Sequence, residues 1–163
     1  DTNVTELPEA QDLVEIACEA ARSVEMLGFT PRVAFLSYSS FGNPMGDRSE
    51  KIREAVSILD TMGVNFEYEG EMPPELALDP AKRANYPFMR LTGSANVLIM
   101  PAVHSAAIAT KLVQELGEAT VIGPMLLGMS KPVQICPLSA SVTKILNMAI
   151  VAAFEKPLIT SAP

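Results

Sequence analysis

Apolar positions along the chain recur with two different periods. Leu13, Ile16, Ala17, Ala20, Ala21, Val24 and Leu27 fall at three- and four-residue spacing, which predicts a helix from about Pro8 to Leu27 with Gly28 as its stop. The polar opening, DTNVTELPEA, leads into it. Arg32 to Leu36 is instead a compact apolar run after Pro31, the pattern of a buried strand, and it feeds the polar loop Ser37 to Asp47. The helical period returns from Asp47 to Met62, with Ile52, Val56 and Leu59 inward. Val64 to Tyr68 alternates and predicts a second strand, near an edge given Asn65 and Glu67. The Pro-rich segment Glu69 to Phe88 reads as short helices and turns lying over a core. Asn96 to Met100 is the most apolar strand candidate, and Ser105 to Leu116 is helical with Ile108, Leu112 and Val113 inward. Val121 to Lys144 carries turns at Gly123 and Gly128, the Lys131-Pro132 step and a β-prone run from Val133 to Cys136. It is expected to supply one or two more strands before a strongly apolar last helix, Val142 to Phe154.

Strands alternating with helices predict parallel βαβ units: a three-layer α/β fold, its mostly parallel sheet covered by helices on both faces. Without repeats or low-complexity stretches, residues 1–163 read as one domain. At 163 residues and 48% hydrophobic content the chain can bury a real core. A net charge of −7 and the lack of any Lys or Arg run argue against nucleic acid as a partner. No segment approaches the roughly 20 apolar residues that span a bilayer, so no membrane partner is expected. Cys18 and Cys136 show no CxxC spacing and no signal-peptide pattern is visible, which makes a reducing cytoplasm the expected location. Asp1 in place of an initiating Met suggests a piece of a longer chain.

Ligands of such sheets sit beyond the carboxyl ends of the strands. Those ends carry Ser37 to Gly46, Pro101 to Ala107 and Cys136 to Ser141. Ser37, Tyr38, Ser39, Ser40 and Asn43 could cradle a phosphate through hydroxyls and backbone N–H groups. A plain strand-to-helix connection is also rich in Ser and Gly, and the spacing fits neither GxGxxG nor GxxxxGK[ST]. Around Ser139 and Ser141 a loop of small residues precedes a helix N-terminus, a combination that favours phosphate or carboxylate, with Lys131 and Lys144 as the nearest cations. The lone histidine, His104, reads as structural more readily than catalytic and lacks a second metal ligand at useful spacing. Cys136, without an adjacent cation, reads as an inert thiol. Glu67, Glu69 and Glu71 alternate like a solvated face, and the nine methionines like core filler.

From RVAFLSYSSFG through GSANVLIMP, GPMLLGMSKPVQI and ILNMAIVAAF, the chain resembles the second half of phosphate acetyl/butyryltransferases. GPMLLGMSKPV is close to that family's GPILQGLNKPV. Within the superfamily, YPFMRLTGSANVLIMPAVHSAAIATK and KPVQICPL most resemble the C-terminal domain fused to bacterial NADP-dependent malic enzymes. The resemblance implies the second subdomain of a phosphotransacetylase-like, isocitrate dehydrogenase-like fold that pairs as a dimer.

Departures from the family pattern fall where its chemistry lies. Transacetylases follow KPV with NDLSRGCSVED, whose Ser and Arg hold the acyl phosphate and whose last Asp is the proposed base. Those positions correspond here to Pro137, Leu138 and Lys144. Upstream, PDLEAGNIGYK corresponds to PAVHSAAIATK, so Asp, Glu, Asn and Tyr become Ala102, His104, Ala107 and Thr110, while Lys111 is retained. The resemblance therefore implies a degenerate acyltransferase domain that senses acetyl-CoA and regulates an attached N-terminal malic-enzyme domain. NADP and a divalent metal would be held on that N-terminal part. The expected ligand-facing residues are Ser37, Tyr38, Ser39, Ser40, Asn43, Lys131, Ser139, Ser141 and Lys144, with no catalytic residue and no metal ligand. The alternatives are an active phosphate acetyltransferase using His104 or Cys136, and a dimerisation domain without a ligand.

Overall fold

Strands β1 (Arg32–Leu36), β2 (Glu67–Met72) and β3 (Val97–Ile99) lie parallel in the order β2-β1-β3, in a computed structural model that describes residues 1–117 and 120–154. The chain divides into two compact units, Asp1–Thr110 and the part from Lys111 onward. In the first unit, helices α1 (Ala10–Met26) and α2 (Asp47–Met62) precede and follow β1, while α3 (Pro74–Leu78) and a 3-10 helix (Pro80–Asn85) connect β2 to β3. Successive side chains of a strand point to opposite faces. Val33 and Phe35 accordingly join Leu13, Ala17, Ile52, Leu59, Val97 and Ile99 beneath α1 and α2. Ala34 and Leu36 join Met72, Leu76, Ala77, Leu91 and Ala95 on the other face. The expected parallel sheet with helices on both faces is present, and β1 lies at its centre with four of five residues buried.

The helical periods place α2 as expected, with Ile52, Val56 and Leu59 buried. In α1, Leu13, Ala17 and Ala21 are buried, whereas Leu27 caps the helix and is exposed. The second strand lies three to four residues later than the alternation suggested. The chain pairs with β1 over Glu67–Met72, and Val64 and Phe66 only pack against the edge of the core. Acidic residues disguised that strand, because their carboxylates are paired, and those of Glu69 and Glu71 buried, instead of solvated. Between Phe35, which pairs with Gly70, and Leu36, which pairs with Met72, Glu71 is the extra residue of a bulge. Gly70 is required there: a Cβ would meet Phe35 Cβ at 2.6 Å and its carbonyl oxygen at 2.9 Å.

Helix α4 (Val103–Leu116) buries Ala106, but Ile108, Leu112 and Val113, expected to face inward, are 58%, 53% and 59% exposed. Helix α5 (Val142–Phe154), in the second unit, keeps the predicted bounds and buries Met148, with Ile145, Leu146 and Ile150 exposed. Both segments are helical as read, but these large side chains are left uncovered among the described residues. Among the described residues of 121–141 no strand forms, contrary to the expectation of one or two. Pro124, Pro132 and Pro137 each remove a ladder donor from this stretch. Its backbone is tied instead by the Gln134 carboxamide, which accepts from Leu126 N–H (3.0 Å) and donates to Leu126 C=O (3.1 Å). No helix among the described residues is long and apolar enough to cross a membrane.

Candidate functional site

Loop Ser37–Gly46 leaves the carboxyl end of β1 and returns to α2. Its tip is a tight turn: Ser40 and Asn43 exchange backbone hydrogen bonds at 2.9 and 3.1 Å, and both central residues have positive φ, 48° at Phe41 and 91° at Gly42. Two left-handed residues in succession suit a primed turn, where glycine is free of strain and phenylalanine is not. Phe41 is held by its ring, which packs on Tyr86 and Phe88 at 5.6 and 4.8 Å between centroids.

The loop hangs on Glu71, which is fully buried. Its carboxylate accepts from the Ser39 hydroxyl and from Gly42 N–H, both at 2.8 Å, while its backbone carbonyl accepts from Phe41 N–H at 3.0 Å. Arg53 on α2, its side chain one-third exposed, donates to both carboxylate oxygens at 2.9 Å. A buried carboxylate is tolerated only when paired and hydrogen-bonded, and this one is both. Since the Ser39 proton goes to Glu71, the 2.9 Å contact between Ser37 and Ser39 hydroxyls is donated by Ser37.

The phosphate cradle of free N–H groups expected for this loop is not what forms. The N–H groups of Ser37, Ser39, Ser40, Phe41, Gly42 and Asn43 all have partners within the loop or on β2. Ser39 is buried and supports the loop from inside, and Ser37 is half-buried beside it. Among the described residues, the Tyr38 hydroxyl, the Ser40 hydroxyl and the Asn43 carboxamide keep no protein partner, and they form the solvent-facing polar set.

A second ionic network lies one step back along β2. Glu69, nearly buried, accepts from Arg90 through its backbone N–H and guanidinium at 3.0–3.2 Å. Arg90 also pairs with Asp60 and lies 4.6 Å over the Tyr68 ring. The hydroxyl of Tyr68 donates to Asp60 at 2.7 Å, and this bond, with that from Arg90, holds the Asp60 carboxyl below its usual range. Burial and the Asp60 charge push the Tyr68 hydroxyl up. Burial acts to raise the Glu67 carboxyl, but bonds from Thr92 N–H (2.8 Å) and hydroxyl (2.7 Å) leave it lowered. The reading of Glu67, Glu69 and Glu71 as a solvated face is thus corrected: Glu69 and Glu71 are clamps for the segments that cross the sheet edge. Their alternation was a signal; their partners, 18 to 32 residues away in sequence, were not visible in it.

The other expected site residues belong to the second unit. Lys131 and Ser139 are exposed. Ser141 caps α5, its hydroxyl accepting from the N–H of half-buried Lys144 at 3.2 Å. Pro137 to Ala140 closes a turn through Ala140 N–H to Pro137 C=O at 2.9 Å, and Leu138 at its tip is fully exposed. Cys136 is half-buried, and His104 is exposed on the first turn of α4. Among the described residues no group of three or more His, Cys, Asp or Glu side chains is arranged to hold a metal ion.

This geometry has known counterparts. The NADP-dependent malic enzyme of Rhizobium meliloti (strain 1021) is 53% identical over 155 residues, a match covering 95% of this chain and 20% of that protein. A probable NADP-dependent malic enzyme of Rickettsia prowazekii (strain Madrid E) is 44% identical over 165 residues, covering 95% and 22%. The chain thus spans about a fifth of these relatives and corresponds to their C-terminal phosphotransacetylase-like domain. The solved structure of a phosphotransacetylase from Streptococcus pyogenes superposes with a TM-score of 0.89 at 32% identity, over 94% of this chain and 47% of that one. With residues 1–153 matching its family model, the chain belongs to the phosphate acetyl/butaryl transferase family.

Proposed function

We propose that this chain is a catalytically degenerate phosphotransacetylase-like domain of an NADP-dependent malic enzyme, binding acetyl-CoA as an effector and pairing copies of the parent protein. Oxidation of malate to pyruvate, with its NADP and divalent metal, belongs in this reading to an N-terminal malic-enzyme domain. The observation that carries the reading is the turn after Val133. By the family resemblance, Pro137, Leu138 and Lys144 correspond to an anion-binding Ser and Arg and a base of the transacetylases, and Leu138 offers an isobutyl group to solvent. Acetyl transfer between phosphate and a thiol needs a cation on the phosphoryl group and a base for the thiol, each contributing orders of magnitude in rate. Binding needs less. In the first unit the loop after β1 offers Tyr38, Ser40 and Asn43; the second unit, taken by itself, offers Lys131, Ser139, Ser141 and Lys144. The exposed apolar residues of α5, among them Ile145, Leu146 and Ile150, support pairing through this domain, since such a surface marks an interface.

The test uses the full-length parent protein. Calorimetry with acetyl-CoA should show binding, and malate turnover should change with it. By linkage, a malate analogue must alter acetyl-CoA affinity by the factor that acetyl-CoA alters the analogue's. A coupled assay for acetyl-CoA formation from acetyl phosphate and CoA should show no turnover above background; robust turnover overturns the degenerate reading in favour of an active phosphate acetyltransferase.

A further inference from the structure

We propose that Glu71, with Arg53, is the positioning residue for the ligand-facing side of loop Ser37–Gly46, an inference that rests on the acetyl-CoA reading above. The loop's free polar groups sit on Tyr38, Ser40 and Asn43, and the last two are the ends of the turn at its tip. Between them, Phe41 and Gly42 hold left-handed backbone conformations, and the N–H of each donates to Glu71, one to its carbonyl and one to its carboxylate. On the other side of Ser40, the Ser39 hydroxyl donates to the same carboxylate oxygen. Ser40 is therefore bracketed by donors on residues 39, 41 and 42 that converge on one buried side chain and its carbonyl.

Arg53 fixes the acceptor in turn. Its Nη1 lies 2.9 Å from both carboxylate oxygens, which orients the carboxylate and compensates its charge from α2, the helix to which the loop returns. Glu71 touches no solvent, so any influence on a ligand passes through the loop. The arrangement commits the loop's inner donors to Glu71 and leaves Ser40 and Asn43 in one preset geometry, which lowers the ordering cost of binding.

Acetyl-CoA affinity is measured by calorimetry on the full-length parent protein, with hydrogen exchange following residues 37–46. Glu71→Gln should weaken binding roughly tenfold and raise exchange across the loop, the size expected of coupled neighbours. In a Ser40→Ala/Asn43→Ala background the same change should alter affinity by less than about twofold, because the groups it positions are already gone. Arg53→Lys should retain most of the affinity that Arg53→Met loses. Should Glu71→Gln fail to fold, Ser39→Ala removes one loop donor, leaves the Arg53–Glu71 pair intact and should weaken binding a few-fold, as expected for one hydrogen bond. Unchanged affinity in Glu71→Gln and Ser39→Ala, or an equal factor in both backgrounds, overturns the inference. Absence of binding by the unaltered parent overturns the acetyl-CoA reading itself, and is distinguished because it is seen before any variant is made.

Discussion

Replacing Arg53 by Met keeps much of the apolar stem of the side chain and deletes its charged head. Glu71 is then left with no cation, fully buried, and dependent on the Ser39 hydroxyl and Gly42 N–H alone. Breaking a buried ion pair by removing one partner costs about 3–5 kcal/mol. Two features reduce that here: the carboxylate keeps two donors, and Arg53 is one-third exposed, so water can enter where the guanidinium stood. The expected loss is about 2–3 kcal/mol. With an m value of about 2 kcal/mol/M, the urea midpoint of the chain should fall by about 1–1.5 M. The reference is Arg22→Ala, which breaks the Arg22–Glu19 pair on the surface of α1 and should cost under about 0.5 kcal/mol. Converting the stranded carboxylate to an amide in Arg53→Met/Glu71→Gln should recover part of the loss, a non-additivity that isolates the unpaired charge as the cause. Equal midpoints for Arg53→Met and Arg22→Ala, or a double variant less stable than the sum of its singles, would refute the reasoning.

Gly70→Ala brings a Cβ to 2.6 Å from Phe35 Cβ and 2.9 Å from its carbonyl, both in the central strand, so a loss of at least about 2 kcal/mol is expected in the same urea experiment. Asp60 has a lowered carboxyl, so its contribution is present above the ordinary carboxylate range and is lost as pH falls through the lowered value; Asp60→Asn should flatten the acid limb of stability against pH. Tyr68 has a raised hydroxyl, so its contribution is present below about pH 10 and lost as pH rises further; Tyr68→Phe should flatten the alkaline limb. Leu138→Arg, at a fully exposed turn position, should leave stability within about 0.5 kcal/mol of the parent, and on the degenerate reading proposed above should not by itself create acetyl transfer.

Local pattern predicted what local physics decides. The apolar run Arg32–Leu36 needs only its own composition to be a buried strand, and Asp47–Met62 and Val142–Phe154 carry their period and end signals within themselves. Strand β2 was displaced because Glu67, Glu69 and Glu71 carry charge, and a charged alternation reads as solvent-facing unless partners are known. Those partners lie on α2, on the loop after β1 and at Arg90, joined to β2 only by the fold. The inward face assigned to α4 failed for a different reason: periodicity identifies an apolar stripe but not what covers it. In the candidate site, the Ser-rich loop was visible as a loop, while the direction of its donors was not. At Ser39 and Gly42 that direction is set by one buried carboxylate.

The loop after β1 and the turn at Leu138, each taken by itself, stand under different physical constraints. Glu71 is a bulge residue at the heart of the sheet edge, tied to Arg53, Ser39, Phe41 and Gly42, so a substitution there costs stability before it touches function. Leu138 touches little, so an exchange between a guanidinium and an isobutyl group at its position costs the fold almost nothing. An exposed turn of this kind tolerates exchange of its side chains at little cost to the fold. On the reading proposed above, the polar face of the loop after β1 needs only a ligand whose affinity differs between two states of the parent to become a regulatory site.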